Sequence, residues 1–312
     1  MREASAGGFP GAGPIAQGTV AVSMFVVPCI VVLLGVMPEN AVFEQLTQQG
    51  LPVGENRLVK LPTPSMVDGL DSAAQRAVIA RIAGQKFRVA DLMRKSPVAP
   101  FVLKLDTIGT CQGGAALRSV DLWLIAYGRI EQMTSQAFLE DVVKTSSGGN
   151  SGGLPSKVDV FDKEALAHYG LTGEESPDRA ERYFYTTFPM LDRVQISVTR
   201  RAVLTQADAS GIAAAIVDRR FDGDATYGNQ WQPIKRGPNG QLALGGPQPY
   251  HTGGFYAKVT RLAEPPDALF LEYHQAFCEP ADWFGGVNLL GSKIPLMVQD
   301  TVRTFRRKLA KP

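Results

Sequence analysis

The sequence predicts an α+β protein: an antiparallel sheet packed on a long C-terminal helix, a smaller N-terminal α/β unit, and an N-terminal apolar helix. Three patterns carry this prediction. Runs rich in β-branched and aromatic residues recur through the second half, joined by the turn-forming segments "GPNG" and "EPPD". An amphipathic stretch closes the chain, and an uncharged stretch stands near its start. Charge is nearly balanced, 32 Lys and Arg against 30 Asp and Glu, so no global field argues for nucleic acid as a partner.

Residues 1–18 are rich in Gly, Ala and Pro, carry only Arg2 and Glu3, and read as a disordered lead. Residues 19–41 begin with "TVAVSMFVVPCIVVLLGVM", which has no charge. Its length suits a bilayer, which takes roughly 17 to 25 apolar residues as a helix. The segment reads as a signal peptide or a membrane anchor, the alternative being a helix buried in the core. Arg2 precedes it while Glu39 and Glu44 follow, which leaves the body outside. Ala41 would precede a cleavage point, although Glu39 occupies a place where a small residue is preferred. The body is thus expected to be exported, periplasmic or on the outer face of the membrane, and to touch the membrane through this segment if it stays uncleaved. Cys29 lies inside the segment, leaving Cys111 and Cys278 as the only pair in the body. An oxidising compartment allows them to bridge; the alternative is two separate buried thiols.

Residues 50–145 form the N-terminal unit. After the Pro-rich "KLPTPSMVDGL", residues 71–83 read as a helix capped by Asp71 and ended by Gly84. Strands follow at 101–108 and 118–128, joined as a hairpin, and a helix is expected at about 135–144. Residues 146–157, "TSSGGNSGGLPSK" in the main, read as a Ser/Gly-rich linker or loop. Within it "GGNSGG" resembles the nucleophile run of chymotrypsin-type serine proteases. All three histidines, His168, His251 and His274, follow Ser151, which excludes that order, and no strand and helix flank the serine as a hydrolase elbow requires.

Residues 158–312 form the C-terminal domain. Strands are expected at 182–191 and 192–205, a helix at about 208–218 ("DASGIAAAIVD"), then two hairpins around "GPNG" and "EPPD". The closing helix is expected over about 295–310, with Pro295 in its first turn, an apolar stripe of Val298, Val302, Phe305 and Leu309, and cations in its last turns. This order over 181–312 resembles the helix-grip architecture of START and polyketide-cyclase-like domains. That resemblance implies an apolar or amphipathic small molecule held between sheet and last helix.

Counting by two along "VQISVTRRAVL" puts Arg200 on the apolar face with Val194, Ile196, Val198, Ala202 and Leu204. Either it lines a cavity and holds an anionic ligand group, or a bulge or an acid such as Glu272 accounts for it. Trp231, Tyr250, His251, Tyr256, Tyr273 and His274 supply the aromatics and polar tips that a mostly apolar pocket needs. Glu272 and His274 share a face and form an acid/base candidate pair. No catalytic residue is assigned, no metal-ligand spacing is present, and no cofactor is implied. Three function classes stay open: a ligand binder, a structural or protein-interaction module of the cell envelope, and an enzyme using His251 or His274.

Overall fold

A computed structural model describes residues 37–133, 154, 156–285, 287 and 289–310. The expected lead at 1–18, the apolar segment through residue 36, the helix at 135–144 and nearly all of the 146–157 linker lie outside the described residues.

The chain enters through α1 (Ala41–Glu44), which continues as a π-helical turn over Gln45–Gln49. Ala41 is its first residue, and the capping Asn40 is buried, its amide donating to Val203 O at 3.0 Å and Thr205 Oγ1 at 3.3 Å. A small hairpin, β1 (Leu51–Gly54) and β2 (Arg57–Val59), leads to α2 (Ser72–Ala83) and α3 (Val89–Leu92). Asp71 caps α2 by accepting from Ala74 N at 2.8 Å, and Gly84 ends it at φ +55°, as the sequence requires. The hairpin β3 (Val102–Thr110) and β4 (Ala116–Tyr127) follows, then the single turn α4 (Ile130–Met133).

Beyond the linker come β5 (Lys157–Val160), α5 (Lys163–His168), and the meander β6 (Arg179–Met190), β7 (Val194–Gln206) and β8 (Ser210–Val217). Leu191 and Asp192 both take positive φ, so the β6–β7 turn has the backbone that matches the right-handed twist of its flanking strands, without any Asn-Gly signal. The chain then forms β9 (Gln230–Arg236), β10 (Leu242–Leu244), β11 (Gln248–Pro249), the hairpin β12 (Gly253–Arg261) and β13 (Ala268–Glu279), and α6 (Leu289–Leu309).

Eleven strands make one antiparallel sheet. Its spine runs β5, β6, β7, β8, β12, β13, β4, β3; β9 shares the β8 edge of β7, pairing along Val194–Ser197 while β8 pairs along Arg200–Gln206. The two halves read as separate units therefore share a sheet, because β4 pairs with β13 along its whole length.

Two elements differ from expectation. The segment expected as a helix at 208–218 is strand β8, paired with β7 on one side and β12 on the other. Its alanines favour a helix locally, but backbone pairing on both edges and burial on both faces override a propensity worth tenths of a kcal/mol per residue. The last helix begins at Leu289, so Pro295 sits inside it and not in its first turn. No helix among the described residues is long and apolar enough to cross a membrane.

The sheet is covered on both faces. On one, α6 lays Leu290, Ile294, Val298, Val302 and Leu309 against residues of β4, β6, β7, β8, β12 and β13. Its end is fixed by Arg306, expected among the solvated cations of the last turn but buried: the guanidinium donates to Ile125 O at 2.8 Å, Pro100 O at 3.0 Å and Ala99 O. Gly128 permits this approach, since a Cβ there would stand 2.5 Å from Leu309 Cγ. On the other face α1 and β1 pack on Val203, Ile212, Ala214, Ile216 and Tyr256, while α2 and α3 pack on Trp123, Ile125, Ala268 and Phe270. Gly254 admits Leu46 there, because a Cβ would lie 2.6 Å from its Cδ2. Cys111 and Cys278 are bonded, tying the β3–β4 turn to the end of β13 with their Cα atoms 6.0 Å apart.

Candidate functional site

Strand alternation divides the seven sequence-predicted site residues among three places. Arg200, Trp231, Tyr250 and Tyr273 belong to the helix-facing side. Tyr256 and His274 lie on the outer face. His251 sits at the sheet's end, in the open.

On the helix-facing side, β7 runs Ile196, Val198, Arg200, Ala202, Leu204 without a register shift, so no bulge explains the arginine. Glu272 does not explain it either, since that carboxylate points to the opposite face. Among the described residues the guanidinium has one hydrogen-bonding partner, the Thr186 hydroxyl, and no carboxylate. Arg182, one strand over on the same face, has Glu175 at 2.8 Å. Arg200 keeps some accessible surface even though protein surrounds it. Burial pulls its guanidinium down to about 10, with the phenols of Tyr250 and Tyr273 nearby; it remains charged at neutral pH. Both phenols are raised by burial and stay neutral.

Trp283, from the short turn Ala281–Trp283, completes this corner. Its ring stacks on Tyr250 at 5.5 Å and meets Trp231 edge-on at 6.2 Å. Trp283 is 2 % exposed, yet its Nε1 has no hydrogen-bond partner among the described residues. The corner thus offers several donors and, among the described residues, no carboxylate to accept from them. Ala213, Ala257 and Leu271 also keep accessible surface, although they sit on the α6-facing side of central strands.

The outer face is arranged differently. His274 is 0 % exposed; its Nδ1 lies 2.6 Å from Asp121 Oδ1 and its Nε2 3.7 Å from Glu272 Oε2. Glu272 accepts from the amides of Ser65 at 2.7 Å and Met66 at 3.2 Å. Lys258 Nζ reaches Met66 O and Asp68 Oδ1, each at 2.9 Å, and Tyr256 donates to Pro62 O at 2.6 Å. The Pro-rich loop 60–70 is therefore sewn onto the sheet. Burial lowers the His274 pKa, but the hydrogen bond to Asp121 and the negative charges of Asp121 and Glu272 outweigh it, and the net direction is upward. The pair is fully buried under that loop on the face opposite Arg200, so Tyr256 and His274 do not join Arg200, Tyr250 and Tyr273 in one site.

His251 is 42 % exposed and holds Asp222 Oδ2 at 2.9 Å from Nδ1. Asp222 also accepts from Arg219 Nε at 3.2 Å and Asn229 Nδ2 at 2.9 Å. The histidine borders an open depression of about 720 Å³ between the β1–β2 hairpin, the disulfide and Arg219. Asp222 and Asp224, a fragment of a calcium loop in sequence, take protein partners instead, Asp224 accepting from Thr226 N and Tyr227 N. No group of metal-ligating side chains occurs among the described residues. Comparison with family models and with curated proteins finds no match.

Proposed function

We propose that the protein is a non-catalytic binder of a small amphipathic molecule, held between the sheet and α6 in the helix-grip manner. The observation that carries this reading is Arg200: a charged guanidinium on the helix-facing side, with a threonine as its one hydrogen-bonding partner among the described residues. Leaving such a charge uncompensated costs several kcal/mol, which a bound anion would offset. The Cys111–Cys278 bond supports an exported body, since such bonds persist in oxidising compartments. Residues 19–41 would then hold the signal or the anchor. Native mass spectrometry of the purified chain tests the reading: a bound small molecule that survives desalting is expected. An empty chain that also takes up no amphiphile leaves the structural or interaction module in its place.

A second reading is favoured by the His251–Asp222 contact. A histidine oriented by a carboxylate at the edge of a depression has the geometry of a general base. Ester hydrolysis that disappears in His251→Gln would support it.

A further inference from the structure

The reading above leaves the ligand's chemistry open; resting on it, we infer that the occupant is a long-chain monocarboxylate, its head at Arg200 and its chain running diagonally beneath α6 towards Leu271.

Three observations define the head. Arg200, the Tyr250 hydroxyl and Trp283 Nε1 gather at one corner as donors, and among the described residues the corner supplies no carboxylate to accept from them. A carboxylate matches the guanidinium fork with two parallel hydrogen bonds. One positive charge beside two neutral phenols balances one negative charge. A phosphate monoester would bring close to two and leave the excess buried.

The chain is defined by where space remains. Arg200, Ala213, Ala257 and Leu271 keep accessible surface, whereas their helix-facing neighbours Ala202, Ala215, Phe255 and Val259 are buried. Registration places them on a diagonal: Arg200 is level with Val217, Ala213 pairs with Ala257, and Leu271 pairs with Val259. From Arg200 to Leu271 is three strand steps and about six residues along the strands, roughly 25 Å at the usual spacings. A chain of palmitate length occupies most of that line, and octanoate less than half. Small floor residues make the room, since Ala213 and Ala257 stand where larger side chains would fill it.

The test uses the purified full chain stripped of bound lipid and titrated with palmitate, hexadecanol and octanoate, followed by calorimetry and native mass spectrometry. Palmitate is expected to bind at least about tenfold more tightly than either other probe, the scale of one charged hydrogen-bonded contact. Arg200→Gln should erase the preference for acid over alcohol. Arg200→Lys, which keeps the charge and guards against a misfolded glutamine variant, should retain the preference at reduced affinity. Equal binding of hexadecanol and palmitate would overturn the carboxylate while leaving the chamber standing. Equal binding of octanoate would overturn the long chain. Binding of none of the three would overturn both this inference and the ligand-binding reading beneath it.

Discussion

The two faces of the sheet treat buried charge in opposite ways. On the outer face Glu272, His274, Asp121 and Lys258 are each given partners, the covering loop supplying amides and carbonyls, and only His274 Nε2, 3.7 Å from Glu272, lacks a hydrogen bond among the described residues. On the helix-facing side Arg200 is left with a hydroxyl. A charge held by ion pairs and several hydrogen bonds is a structural device, because little further is gained by binding to it. An unsatisfied one is either a defect or a place prepared for a partner. The contrast turns attention from the histidines, which look most like chemistry in the sequence, to an arginine in the middle of an apolar strand.

Substitutions can break or sharpen this contrast. The largest effect is expected for Glu272→Ala, which strands the Ser65 and Met66 amides and leaves His274 with one carboxylate; equilibrium denaturation should show a loss of about 3–5 kcal/mol. Replacing both Cys111 and Cys278 by serine should cost about 2–5 kcal/mol under non-reducing conditions, since it frees the β3–β4 turn from the end of β13. His274 contributes a pH dependence of known sign. Its folded pKa lies above its unfolded value of about 6.5, so the stability it lends is complete below that pH and is lost as pH rises through the folded value. Thermal melts between mildly acidic and alkaline pH should show this slope in the wild type and a shallower one in His274→Gln. No loss at all is expected for Arg200→Met, which should match or exceed wild-type stability in the ligand-free chain, by up to about 4 kcal/mol, because a hydrophobe replaces an uncompensated charge. A loss there as large as that of Glu272→Ala would mean that Arg200 is structural, and the contrast between the faces would collapse.

Much of this was legible in the sequence, and what was not has physical reasons. Alternation along β7 placed Arg200 on the apolar face, and turn chemistry placed the β9–β10 and β12–β13 hairpins. The same alternation, carried along β13, separates Tyr273 from His274, and along β12 it puts Tyr256 beside His274. That signal was present but was outweighed by grouping aromatics that are near in sequence. The role of β8 was hidden because Ala213–Ala215 carries helix propensity and only its neighbours make it a strand. Glu272's true partners could not be read at all: they are backbone amides of Ser65 and Met66, and a backbone amide carries no residue-type signal. The same holds for Arg306, whose partners are three carbonyls.

The pairing of β4 with β13 also sets an order of events during synthesis. The β3–β4 hairpin emerges from the ribosome long before its neighbour, and one whole edge of β4, with Leu122, Leu124 and Ile125 along it, stays unpaired until the segments from β5 to β12 have been made. A hydrophobic strand edge that must wait is a template for wrong pairing, within the chain or with another copy. The C-terminal hairpin is thus the piece whose arrival ends the chain's most aggregation-prone interval, so truncations within β13 should be far less soluble than their small loss of mass suggests.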